Sequence, residues 1–198
     1  MLSNGQRFCK RSFDIVFSIL ALIVLWPVIF LAALISMIET KQNGLFFQKR
    51  IGKDARTFFV IKIRTMQTDV NNKNTVTASN DSRITKGGAF FRHYKIDELP
   101  QLINVFLGDM SFVGPRPDVE GYADKLEGDD RVILSVKPGI TGPASLKYKD
   151  EEELLSQAEN PLKYNDEVLW PDKVKINKEY VENWSFSKDL YYIIQTFR

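Results

Sequence analysis

Two adjacent carboxylates, Asp97 and Glu98, stand within the stretch Arg92 to Pro117, RHYKIDELPQLINVFLGDMSFVGPRP, and they stand there among cations. Arg92 and Lys95 precede the pair, and Arg116 follows in a loop shaped by Gly108, Gly114 and two prolines. An arginine fork and the backbone donors of such a loop suit phosphate oxygens. Magnesium favours one or two carboxylates together with phosphate oxygens and water, so Asp97 and Glu98 could hold Mg2+ on a phosphorylated substrate without a dedicated cage. A purely structural reading competes. Leu99, Leu102, Ile103, Phe106 and Leu107 recur at helical spacing, Pro100 fits a first turn and Gly108 is a natural stop. Both acids would then sit at the positive end of a helix, where Asp97 serves equally well as an N-cap.

Further cations come from a β-hairpin. Leu45 to Ile51 and Phe58 to Met66 read as strands around Gly52-Lys53-Asp54. Alternation puts Val60, Lys62 and Arg64 on one face and Phe59, Ile61 and Ile63 on the other. Lys62 and Arg64 therefore point together, toward a ligand or toward water. The polar run from Asp69 to Ser82, with Asn71-Asn72-Lys73-Asn74, reads as a loop without chemistry.

The elements that must place this site begin in a membrane. The 24 residues from Ile15 to Ile38 carry no charge, and only Ser18 and Ser36 bring hydroxyls. A signal peptide has a shorter apolar core, of about 7 to 15 residues. As a straight helix the segment would extend about 36 Å, enough for a hydrocarbon layer of about 30 Å. Pro27 falls at its middle, where proline kinks or breaks a helix. Each half could descend to the midplane and return. Arg7, Lys10 and Arg11 before the segment and Lys41, Lys49, Arg50, Lys53 and Arg56 after it favour both ends on the cytoplasmic side. A kinked single span is the alternative.

Composition excludes several classes. At 198 residues there is room for about one compact core with a small appendage. With 27 basic and 25 acidic side chains the net charge is +2, which gives no bulk attraction for nucleic acid. One histidine, His93, excludes a two-histidine mechanism, and one cysteine, Cys9, excludes an internal disulfide and reads as a small buried hydrophobe.

Several ordered motifs resemble one family. They are the apolar segment with its central proline, Phe47-Gln48-Lys49-Arg50-Ile51-Gly52, Lys62-Ile63-Arg64-Thr65-Met66, Ile96-Asp97-Glu98-Leu99-Pro100-Gln101-Leu102, Gly108 to Pro117, Lys137-Pro138-Gly139-Ile140-Thr141-Gly142, and Glu179 to Phe186. Together they are similar to the monotopic phosphoglycosyl transferases of bacteria. The chain looks like the minimal form, without extra spanning helices or a fused N-terminal domain. The resemblance implies an α+β protein with a re-entrant membrane helix-hairpin broken at Pro27 (residues 1–40) and a small mixed cytoplasmic catalytic domain with interfacial helices (residues 41–198).

The implied reaction moves a sugar-1-phosphate from a UDP-sugar to polyprenyl (undecaprenyl) phosphate and releases UMP. It would be the first membrane step of glycoconjugate assembly, of the exopolysaccharide, capsule or O-antigen kind, at the bacterial inner membrane, with later glycosyltransferases as possible partners. By the same resemblance Asp97 is the nucleophile and a Mg2+ contact, Glu98 assists it, and Lys62, Arg92, Arg116 and, less directly, Arg64 bind phosphate groups. Membrane lipid is a partner and nucleic acid is not. A non-catalytic membrane-tethered adaptor and a nucleotide-sugar hydrolase are the rival readings.

Departures from the family pattern are Trp26-Pro27 at the break, Tyr94-Lys95-Ile96 before the acids, and Asn177 where relatives carry an acid. In the tail, Phe186, Leu190, Ile193, Ile194 and Phe197 form one helical stripe capped by Ser185 or Ser187, which packs on the core or lies on the membrane. Asp150-Glu151-Glu152-Glu153 reads as a solvated helix start.

Overall fold

The computed structural model describes residues 2–67 and 82–198, so all but Ser82 of the Asp69 to Ser82 run lies outside the described residues. Helix α1 runs from Asn4–Thr40 behind a capping box, in which Ser3 and Gln6 satisfy each other's backbone donors. It continues through Pro27 as one helix. The expected break into two helices is therefore not how this segment folds. Proline removes a single backbone donor, and in apolar surroundings the remaining groups have no partner better than the helix itself.

The sides of α1 are inverted relative to a water-soluble helix. Lys10, Asp14, Ser18, Ala32, Ser36 and Thr40 are buried against the protein. Leu20, Ile23, Val24, Trp26, Phe30 and Leu31 are exposed. No water-soluble fold profits from that arrangement, whereas a helix facing lipid does. Among the described residues α1 is the one helix long and apolar enough to cross a membrane. Cys9, expected to be buried, is exposed on it, because the inward face near this end is taken by Lys10 and Asp14.

Both ends of α1 are tied to the rest of the chain. Near its start, Lys10 pairs with Asp189 at 2.5 Å, and Asp14 accepts from Ser111 Oγ at 3.0 Å and from the Phe112 N–H at 3.1 Å. Near its end, Ser36 donates to the Arg64 carbonyl, and Glu39 accepts the Gly87 N–H at 3.0 Å.

Strands β1 (Leu45–Ile51) and β2 (Thr57–Ile63) form the antiparallel hairpin, with Phe46 opposite Lys62, Gln48 opposite Val60 and Arg50 opposite Phe58. The second strand is shorter than expected, and Met66 makes only an isolated bridge to Ile84. Helix α2 (Lys86–His93) is capped by Thr85. A 3-10 turn, Ile96–Glu98, then leads to α3 (Gln101–Leu107), which ends at Gly108 with φ +95°. Asn104 accepts the Ile61 N–H at 3.0 Å and donates to the Phe59 carbonyl at 2.8 Å, so a buried amide closes the free edge of β2.

Strand β3 (Ser111–Val113) pairs in parallel with β4 (Gly139–Thr141), across 3-10 segments at Ala123–Lys125 and Gly128–Ser135. Glycine is required at the junction: a Cβ on Gly114 would stand 2.5 Å from the Lys137 carbonyl, and one on Gly139 would stand 2.1 Å from the Gly114 nitrogen. Helices α4 (Pro143–Lys147), α5 (Glu151–Gln157) and α6 (Pro161–Tyr164) follow, and a π turn at Asn165–Leu169 runs into α7 (Trp170–Glu182) and α8 (Phe186–Thr196).

The core forms where these meet, with Val113, Val136, Tyr180 and Val181 in one cluster and Val60, Val105 and Met110 in another. Each such side chain contributes about 1.5–3 kcal/mol of burial. In α8, Ser185 caps as expected, and Tyr192 and Ile193 pack on the core. Leu190, Ile194 and Phe197 face outward, so the stripe is divided between the core and the exposed surface. The architecture is a mixed α+β fold carrying one apolar helix.

Candidate active site

Asp97 and Glu98 sit on the 3-10 turn before α3. Lys95, just before them, has φ +56°, a left-handed conformation that costs a non-glycine residue about 1–2 kcal/mol. It folds the chain sharply between α2 and the acid pair, which keeps Arg92, in the last turn of α2, close enough to act on Asp97.

Glu98 accepts a hydrogen bond from Arg116 at 2.6 Å and lies 3.7 Å from Lys62 Nζ. Lys62 reaches it from the inward face of β2, beside Val60, as alternation predicts. Burial opposes the charge on Glu98, yet Arg116 and Lys62 outweigh it and hold the carboxyl down to about 2. Asp97 is driven the other way. Burial first, and then the charge of Glu98, push it up to about 6 against Lys62, Arg92 and Lys95. Neighbouring acids are thus separated into a fixed anion and one poised near neutrality, the pattern of groups with different chemical tasks.

Asp97 does not serve as the cap of α3. Helix α3 starts at Gln101, four residues after Asp97, and no side chain caps it. Asp97 Oδ1 is instead buried with no hydrogen-bond partner. An orphaned carboxylate oxygen among cations is what a reacting atom or metal ligand requires and what a cap would not leave. Mg2+ fits these residues on that ground, with Asp97 as the available donor and Glu98 already engaged by cations. Among the described residues there is no group of three metal-binding side chains, so such an ion would rely on substrate oxygens.

Two expectations need correction. Arg64 does not join this cluster: β2 ends at Ile63, and Arg64 donates to the Asn43 carbonyl at 2.8 Å with its guanidinium over Phe46. The loop after α3 contributes Arg116 and few backbone donors. Its Gly114 N–H is taken by the Thr141 carbonyl at 2.9 Å, and its Pro115 carbonyl accepts from Gly139 at 2.8 Å. His93 is exposed with its ring against Tyr94.

Other charges at the site escaped sequence reasoning. Arg50 donates to the Pro117 carbonyl at 3.3 Å, and burial together with the nearby Arg116 lowers its affinity for its proton. Asp118 is pushed up to about 7 by burial despite Lys173, Arg50 and Arg116 around it. Lys173 in turn pairs with Glu151 at 2.5 Å, so the acidic run expected to be solvated contributes one member to an ion pair. Hairpin pairing would have found Arg50, since it stands opposite Phe58 on the face of Lys62. No local signal joins Asp118 to Lys173.

One lipid-suited helix thus stands in the same fold as an acid pair ringed by arginine and lysine. Residues 5–198 match the bacterial sugar transferase family, and the chain belongs to that family. It is 36% identical over 201 residues to the UDP-glucose:undecaprenyl-phosphate glucose-1-phosphate transferase of Escherichia coli (strain K12), covering 98% of this chain and 40% of that relative. An exopolysaccharide production protein, PSS, of Rhizobium leguminosarum bv. phaseoli is 35% identical, over 94% of this chain and 92% of its own. The undecaprenyl-phosphate glucose phosphotransferase of Komagataeibacter xylinus is 33% identical, over 100% of this chain and 36% of its own. The chain thus spans about two fifths of the length of the first of these relatives.

Proposed function

We propose that this chain transfers a sugar-1-phosphate from a UDP-sugar to undecaprenyl phosphate at the cytoplasmic face of the bacterial inner membrane. The observation that carries the reading is the buried, unpartnered Oδ1 of Asp97 beside the Arg116–Glu98–Lys62 network. That oxygen attacks the sugar-linked phosphorus. A P–O bond forms to Asp97 while the bond to the nucleoside phosphate breaks, and UMP leaves with the electron pair. An oxygen of the lipid phosphate then attacks the same phosphorus and Asp97 departs as carboxylate. Two displacements allow a soluble donor and a lipid acceptor to use one site in turn.

Lys62 and Arg92 balance the charge that develops in transfer, and Arg116, held by Glu98, presents its remaining donors to phosphate. Mg2+, held by Asp97, would neutralise donor oxygens. The tie of both ends of α1 to one domain supports a re-entrant dip of residues 1–40, which keeps the site at the depth of the lipid phosphate.

The test is UMP release by purified protein with Mg2+, a panel of UDP-sugars and undecaprenyl phosphate. Release that needs the lipid and falls by at least about 10³-fold in Asp97→Asn is expected for loss of a nucleophile. Equal release without lipid would indicate hydrolysis, and unchanged activity in Asp97→Asn would remove the nucleophile. The adaptor reading predicts no turnover with any donor.

A further inference from the structure

At the end of α3 remote from Asp97, two cations converge on one backbone position. A Cβ at Gly108 would stand 3.1 Å from Arg11 Nη2 and 3.1 Å from Lys137 Nζ, which makes the two charges close neighbours. Arg11 is held in place: it donates to the Val105 carbonyl at 2.6 Å and the Phe106 carbonyl at 2.7 Å, at the negative end of α3. Lys137 is half-buried and makes no hydrogen bond or ion pair among the described residues. Burial and then the charge of Arg11 work against its ammonium, with Lys53 adding to them and Asp14 and Asp109 opposing. Asp14 is already engaged by Ser111 and Phe112. A half-buried ammonium set against a guanidinium is complementary to an anion.

Two further observations say which anion. Leu107 and Asp109, which flank Gly108, line a wide-open, largely apolar cavity of about 580 Å³ with Phe47, Phe58, Phe59, Ile61 and Asn104. A free phosphate has no use for such a cavity, whereas an acyl chain does. Arg11 also lies four residues before Ile15, where the uncharged run of α1 begins, so the cations stand at about headgroup depth. The reacting phosphate is elsewhere, because α3, seven residues and about 10 Å long, separates Gly108 from the acid pair.

We propose that Arg11 and Lys137 bind the phosphodiester of an anionic glycerophospholipid, with an acyl chain against the cavity beside Leu107. This rests on α1 being embedded in the membrane. The lipid would join α1, the end of α3 and the segment entering β4, fixing the depth at which the domain rides.

The test is lipid retention in native mass spectrometry of the full chain in mild detergent, after exchange with dioleoyl-phosphatidylglycerol or dioleoyl-phosphatidylcholine. Wild type should retain phosphatidylglycerol in preference. Lys137→Gln should retain about five-fold less, the effect of one interfacial cation, while Lys137→Arg and the exposed control Lys125→Gln retain it. Equal retention of both lipids, or undiminished retention by Lys137→Gln, would overturn the proposal. So would displacement by inorganic phosphate, which marks a plain anion site, or by equimolar undecaprenyl phosphate, which marks an acceptor site. Retention is read without turnover, so its failure is distinct from failure of the transferase assay.

Discussion

Asp97 and Glu98 adjoin in sequence but differ in consequence, because Arg116 and Lys62 engage only Glu98 closely. A carboxyl raised in the fold binds its proton more tightly there than in the unfolded chain. Asp97 therefore costs stability above about pH 6 and costs nothing below its ordinary 3.8. Asp97→Asn should gain on the order of 1–3 kcal/mol at pH 8, with the gain shrinking as pH falls through 6 and gone below about 4, while turnover is lost. Melting in detergent across that pH range checks it, and a loss of stability would make Asp97 a structural acid. Glu98 has the opposite sign. Its stabilisation is complete above its ordinary 4.5 and lost as pH falls toward 2, so Glu98→Gln should lower Tm at pH 8. Residue types and order single out Asp97, Glu98, Lys62 and Arg116, and the fold brings them together. Arg64 was misread because alternation ceases to hold where β2 stops, and Asp118 with Lys173 was missed because only tertiary folding joins them.

Helix α3 shows what a periodic pattern can and cannot say. Its existence, its stop at Gly108 and the hairpin before it follow from spacing and turn residues, but its start and its buried face do not. Phe106 and Leu107, part of the apolar stripe, are 41% and 64% exposed, while polar Gln101 and Asn104 are buried with Leu102 and Val105. Periodicity identifies residues that avoid water, and it is silent on whether protein or lipid covers them. The same reasoning explains α1, whose apolar side faces out. Asn104 is buried because the edge of β2 needs a donor and an acceptor that no neighbouring strand supplies. Asn104→Ala should therefore cost about 2–3 kcal/mol by stranding the Ile61 N–H and the Phe59 carbonyl. The loss should appear as a lower denaturation midpoint, accompanied by weaker turnover as Lys62 on the same strand loses its fixed position. An unchanged midpoint would mean that water satisfies this edge.

At the scale of the molecule, the decisive feature is how α1 is held. A 37-residue helix would extend about 55 Å if straight, ample for crossing, and a crossing helix has its ends on opposite faces of the bilayer. Here the first end is bonded to Asp189, Ser111 and Phe112 and the last to Arg64 and Gly87. The two docking regions belong to one folded unit, since Asn104 joins α3 to β2 and the strand continues into Arg64. One water-facing domain cannot stand on both sides of a membrane, so in the re-entrant arrangement we propose the exposed middle of the helix, from Ile19 to Leu31, enters and leaves by the same leaflet. The sole cysteine makes this measurable, because Cys9 is exposed just before the apolar run. In bacterial membrane vesicles of defined orientation, a membrane-impermeant maleimide should label Cys9 from the cytoplasmic side only. A cysteine placed at Gln42 in a Cys9→Ser background, just beyond the other end, should label from that same side. Labelling of the two positions from opposite sides would mean that α1 spans, and the domain would then have to release one of its two attachments in the membrane.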